Sequence, residues 1–98
     1  MNDFVNRLSS TTPTLVDFYA TWCGPCQMMH PILEQLQKFI GDKCKIEKVD
    51  IDKESDVAAL YQVRSVPTLI LFVNGEVKWR ATGVRPASDL KYIIDQYC

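Results

Sequence analysis

The sequence predicts an α/β domain, with one four-stranded mixed sheet and helices on both of its faces. Three observations lead there. Between Leu15 and Val63 short apolar runs alternate with amphipathic stretches in the order β, α, β, α. Asn74-Gly75 separates two further β-prone runs, the strongest short-range hairpin pattern in the chain. Leu90, Ile93, Ile94 and Tyr97 then repeat at i, i+3, i+4 and i+7, which closes the chain with an amphipathic helix. Ninety-eight residues, 47% of them hydrophobic, are enough for a single domain over residues 1–98 with a modest core.

Phe4, Val5 and Leu8 stand at near-helical spacing and predict a short first helix, ended by the turn formers of Ser9-Ser10-Thr11-Thr12-Pro13. Leu15-Val16-Asp17-Phe18-Tyr19 is the kind of run that a strand buried on both faces produces, interrupted by one carboxylate. From Cys23 to about Ile40 the pattern is helical. Met29, Ile32, Leu33, Leu36, Phe39 and Ile40 fall on one side, and Glu34 and Lys38 pair at i,i+4 on the other. Gly41 stops this helix. Pro25 fits its first turn, whereas Pro31 removes the hydrogen bond to the Gln27 carbonyl, so a kink is expected there.

Ile46, Val49 and Ile51 among charged neighbours predict a second strand, and Val57, Leu60 and Tyr61 predict a helix over Ser55 to Val63. Two strands joined through a helix pair in parallel with a right-handed crossover. Thr68-Leu69-Ile70-Leu71-Phe72-Val73 is the most apolar segment, and the strand Val77 to Ala81 returns antiparallel to it. Ser88 is read as the N-cap of the last helix.

The 11 basic and 12 acidic residues are interspersed, with a formal net charge of -1, so neither nucleic acid nor an anionic membrane is an expected partner. The amino end lacks the basic-then-apolar order of a signal peptide, and no apolar run approaches the ~20 residues that span a bilayer. The expected address is cytoplasmic. Of the four cysteines only Cys23 and Cys26 are close, while Cys44 and Cys98 stand alone. A close pair beside a βαβ pattern in an unexported chain is more often redox-active than structural.

At the junction of a strand and a helix, the first thiol of such a pair meets unpaired backbone N–H groups and the positive end of the macrodipole. Both favour a thiolate, the reactive form. Cys23 is therefore expected to attack, and Cys26, one turn inside, to resolve the mixed disulfide. Tetrahedral zinc needs two more ligands, and Cys44, Cys98 and His30 stand at no ligand spacing, so no metal is expected. Asp17 is the one group in the apolar strand that ionises below neutral pH; a lone buried carboxylate is costly unless its pKa rises or it finds a partner.

Val16-Asp17-Phe18-Tyr19-Ala20-Thr21-Trp22-Cys23-Gly24-Pro25-Cys26, followed by Pro31, closely resembles the active-site segment of the thioredoxin family. Val66-Pro67-Thr68, Asn74-Gly75 and Gly83-Val84 continue the match in the same order, so the resemblance runs from about Thr14 to Cys98. It implies a thioredoxin-like fold and a general protein-disulfide reductase working through a reversible Cys23/Cys26 dithiol. No bound cofactor is implied, since the two cysteines carry the electrons. The implied partners are protein disulfides and a thioredoxin reductase as electron donor, with the chain a monomer. It also implies that Asp17 accepts the Cys26 proton through water, modulated by Lys48 on the neighbouring strand. Sequence alone favours a trans Val66-Pro67 bond; the resemblance implies a cis one against the cysteines, leaving the Val66 backbone free to pair with an extended substrate. Trp22, Gly24, Pro25, Gly83 and Val84 are the implied apolar rim that receives partner proteins.

Positioning matters more here than thiol acidity. Lowering a thiol pKa from ~8.5 to ~7, the general figure for thioredoxin, raises the thiolate fraction at neutral pH about fifteen-fold. A Brønsted slope of ~0.4 to 0.5 returns about five-fold of this. The net gain of about three-fold leaves most of the acceleration to a docking surface that aligns the substrate disulfide.

The chain departs from the family pattern in places. Thioredoxins usually begin with an extra edge strand that this chain is expected to lack, which would leave the Ile46 to Ile51 strand at the sheet edge, guarded by Lys45, Lys48 and Lys53. Tyr19 stands where many members have tryptophan and Gln27 where a basic residue is common. Trp79 is expected to pack on the hairpin, His30 to be a surface histidine, and Cys44 and Cys98 to be incidental thiols. Two other readings share the same residues: a disulfide oxidase or isomerase of this fold, and a non-catalytic binding module.

Overall fold

The computed structural model describes Phe4, Leu8 and residues 11–98. Phe4 and Leu8 are helical and buried, as their spacing predicts; Val5, Ser9 and Ser10 lie outside the described residues. The elements that follow are β1 (Thr14–Tyr19), α1 (Gly24–Ile40), a 3-10 turn (Gly41–Lys43), β2 (Lys45–Asp50), α2 (Ser55–Leu60), β3 (Thr68–Val73), β4 (Glu76–Thr82) and α3 (Ala87–Tyr97).

The four strands lie in the order β2-β1-β3-β4, with β1 parallel to β2 and antiparallel to β3, and β3 antiparallel to β4. Among the described residues β2 is an edge strand, as expected. Asn74 and Gly75, with φ of 54° and 79°, make the hairpin turn in the left-handed region that favours these two residue types. A bulge between Leu71 and Phe72 shifts the β3-β4 register near the turn.

Strand alternation sorts the core into two layers. Leu15 with Leu69 and Leu71 packs under α1 and α3 against Met29, Leu33, Leu36, Ile40, Leu90 and Ile94. Val16, Phe18, Ile70 and Phe72 point the other way and meet Phe4, Leu8, Val49 and Val57. Asp17 and Tyr19 share the parity of Leu15, so they project toward α1, the helix that begins beside the cysteines. Trp79 packs on the α1-α3 layer.

Several boundaries differ from the expected ones for local reasons. The helix expected to reach Val63 stops at Leu60, because Gln62 turns left-handed at φ 54°. The Gln62 and Val63 N–H groups return to the Ala59 and Ala58 carbonyls, a Schellman closure. The Arg80 guanidinium then donates to the Tyr61 and Gln62 carbonyls, at 2.6 and 3.3 Å. This end frees the Tyr61 ring to pack against Phe4, Phe18 and Phe72, and leaves Leu60 exposed.

Ser88 is not the N-cap of α3. Pro86 occupies that place with extended backbone, and no side chain caps the helix; a residue with fixed φ and no N–H suits a helix boundary, so Ser88 sits in the first turn. Phe39 is 59% exposed, because at about 100° per residue it lies at the margin of a stripe centred on Met29, Leu33, Leu36 and Ile40. Tyr97 likewise ends its stripe at the surface, where its hydroxyl donates to the Lys78 carbonyl at 3.2 Å. α1 is continuous through Pro31 and ends at Gly41, whose φ of 55° and N–H to the Gln37 carbonyl close the helix.

Candidate active site

Cys23 is the N-cap of α1. Its backbone is extended, its N–H donates to the Ala20 carbonyl at 3.2 Å, and its Sγ accepts the Cys26 N–H at 3.2 Å. A sulfur thus takes the capping role that an oxygen of Ser or Asp usually fills. No acidic side chain stands in the first turn of α1 to compete for the unpaired N–H groups. Cys23 and Cys26 Sγ are in disulfide contact, with the Cα atoms 5.3 Å apart. Cys23 keeps 5% of its surface exposed and Cys26 none, so an incoming partner reaches the first sulfur only.

The turn before β3 faces this pair. The Val66-Pro67 bond is cis, the Val66 carbonyl oxygen lies 3.7 Å from Cys23 Sγ, and the Gly83 N–H donates to the Pro67 carbonyl at 2.9 Å. Val66 and Gly83 are half-buried and Pro67 is buried, while Gly24 and Pro25 are exposed beside Cys23. Val84 packs on the layer between α1 and α3.

Trp22 is 70% exposed, yet its indole N–H donates to Asp52 Oδ2 at 2.9 Å. Asp52 is a site neighbour that sequence reasoning missed: it stands 30 positions away, in the turn after β2, and nothing local marks it. Its own N–H donates to Asp50 Oδ1 at 2.9 Å, which orders that turn.

Asp17 is fully buried beneath α1, and neither of its carboxylate oxygens has a hydrogen-bond partner among the described residues. Burial pushes its pKa from 3.8 up to about 6, opposed by the positive charge of Lys48. Lys48 is its register partner on β2. The Lys48 ammonium itself donates to His30 Nδ1 at 2.9 Å.

His30 is therefore not simply a surface histidine. It is half-buried, meets the Tyr19 ring edge to face with centroids 5.5 Å apart, and is held below the ordinary histidine pKa by burial and by Lys48, against Glu34. Cys44 is buried, with its thiol pushed up to about 11 by that burial, and Cys98 is an exposed free thiol.

A dithiol poised at a helix start, one sulfur accessible and one buried, defines a thiol-disulfide oxidoreductase. The thioredoxin family model matches residues 1–96, and the chain belongs to that family. It is 51% identical over 81 residues to a thioredoxin-like protein of Synechocystis, covering 83% of this chain and 77% of that one. It is 42% identical over 83 residues to the thioredoxin of Bacillus subtilis, covering 85% and 80%. Among solved structures, a thioredoxin variant of Halobacterium salinarum superposes with a TM-score of 0.90 at 37% identity, covering 99% of this chain and 84% of that one. Thioredoxins are protein-disulfide reductases, and this chain acts on protein disulfides in the same way. No helix of the described residues is long and apolar enough to cross a membrane.

Proposed function

We propose that Cys23 is the attacking sulfur, Cys26 the resolving one and Asp17 the acceptor of its proton. The Cys23 thiolate attacks one sulfur of a protein disulfide, forming a mixed disulfide and expelling the other substrate sulfur as a thiolate. Asp17 takes the Cys26 proton through water, and the Cys26 thiolate attacks Cys23 Sγ. The Cys23/Cys26 disulfide forms and the second substrate sulfur leaves, so the substrate has gained the electron pair that the dithiol lost. Lys48 modulates Asp17 through its charge. Trp22, Gly24, Pro25, Val66, Pro67, Gly83 and Val84 form the docking rim, where the Val66 backbone pairs with an extended substrate segment.

The observation that carries this reading is the Cys23 sulfur in the N-cap of α1, accepting the Cys26 N–H within disulfide contact of its partner. A thioredoxin reductase returns electrons to the oxidised pair, and the chain serves as a cytoplasmic monomer in cell redox homeostasis. The two unpaired thiols Cys44 and Cys98 support a reducing compartment.

Insulin reduction coupled to a thioredoxin reductase tests the whole scheme. Wild type should turn over, Cys23→Ser should not, and Cys26→Ser should trap a stoichiometric mixed disulfide through Cys23. Asp17→Asn should accumulate that intermediate transiently. Turnover by Cys23→Ser, or resolution at the wild-type rate in Asp17→Asn, would remove the corresponding role.

A further inference from the structure

Cys26, His30 and Glu34 follow one another at i, i+4 and i+8, so they stack along one side of α1. Across from them, Asp17 and Lys48 are register partners in the parallel β1-β2 pair, and partners in register project from the same face of a sheet. Lys48 thus rises toward α1 with Asp17 beside its base and two heads within its reach. Its ammonium donates to His30 Nδ1 at 2.9 Å, and the Tyr19 ring steadies the imidazole from the sheet side. Glu34 lines the same shallow depression as Lys48 and lies about one turn, about 6 Å, beyond His30 on the side away from Cys26.

We propose that His30 is a positioning residue for the dithiol: its neutral ring anchors the Lys48 ammonium toward the Cys26 end of α1, where that charge sets the proton affinity of Asp17. The proposal rests on the role given to Asp17 above and adds the element that tunes it. In this arrangement Nδ1 accepts from Lys48 and the ring proton sits on Nε2. The charged groups acting on the imidazole are Lys48 from β2 and Glu34 from its own helix, and the Tyr19 ring on β1 packs against it. Burial and Lys48 outweigh Glu34 and keep the ring neutral at neutral pH. Without the ring, Lys48 turns to Glu34 or to solvent. Its charge then withdraws from Asp17, which binds its proton more tightly and accepts the Cys26 proton only at higher pH.

The test uses the reduced full chain, with the Asp17 midpoint followed by carboxyl NMR and the resolving step by single-turnover kinetics against pH. His30→Leu should raise the Asp17 midpoint by about half a pH unit and move the rate profile by the same amount. His30→Asn, which returns an acceptor near the Nδ1 position, should restore both. In a Lys48→Met background His30→Leu should change neither. An unmoved midpoint in His30→Leu overturns the proposal, and so does an equal shift with and without Lys48. If the midpoint moves as stated while Asp17→Asn resolves at the wild-type rate, the anchoring stands and the proton-acceptor role of Asp17 falls.

Discussion

At Asp17 the cost of burial falls on the charged form alone. The folded carboxyl titrates near about 6 and the free one near 3.8, so between these values the native protein holds a proton that the unfolded chain has released. Stability therefore falls as pH rises from about 4 to about 6, and stays lower above that. Asn resembles the protonated carboxyl and removes the slope. Asp17→Asn should match wild type near pH 4 and exceed it at pH 7 by up to about 3 kcal/mol. Urea denaturation at both pH values measures this, and equal stabilities at pH 7 would contradict the burial account. That Asp17 is buried was legible from its apolar neighbours. That its oxygens lack partners was not, because this depends on what α1 and β2 bring over it.

Among the elements, the parallel pairing of β1 and β2 does most to assemble the site. Parallel strands end on the same side, so the loops that follow them become neighbours, the usual location of function in open α/β sheets. The β1-α1 loop carries Trp22 and Cys23, and the β2-α2 loop carries Asp52. The indole-carboxylate bond between these loops fixes an exposed aromatic side chain at the proposed docking rim. A single exposed hydrogen bond of this kind contributes about 0.5 to 1.5 kcal/mol. Asp52→Ala should accordingly raise the KM for insulin by about 2- to 10-fold and leave kcat within about two-fold. A fall in kcat at unchanged KM would show that Asp52 acts on the chemistry instead. The helix and strand types were readable from period and turn chemistry. The end of α2 was not, because a Gln at positive φ is held there by Arg80 from β4, 18 residues away.

Among the described residues the sheet ends in two edge strands, β4 on one flank and β2 on the other, and β2 carries Lys45 and Lys48. Amide exchange should show both edges: the β2 groups turned away from β1 and the β4 groups turned away from β3 should exchange fast, while Val16, Phe18, Ile70 and Leu71 persist longest. Slow exchange on both sides of β2 in a monomer would mean that its edge is covered. The sequence by itself determined the dithiol, its place between strand and helix, the hairpin and the alternation of buried faces, because each is encoded within a few residues by periodicity, propensity and capping. Only the tertiary structure decided that Trp22 meets Asp52 and that Lys48 rests on His30. These contacts join segments 30 and 18 positions apart, and no local rule sets which side chains meet once the helices have packed onto the sheet.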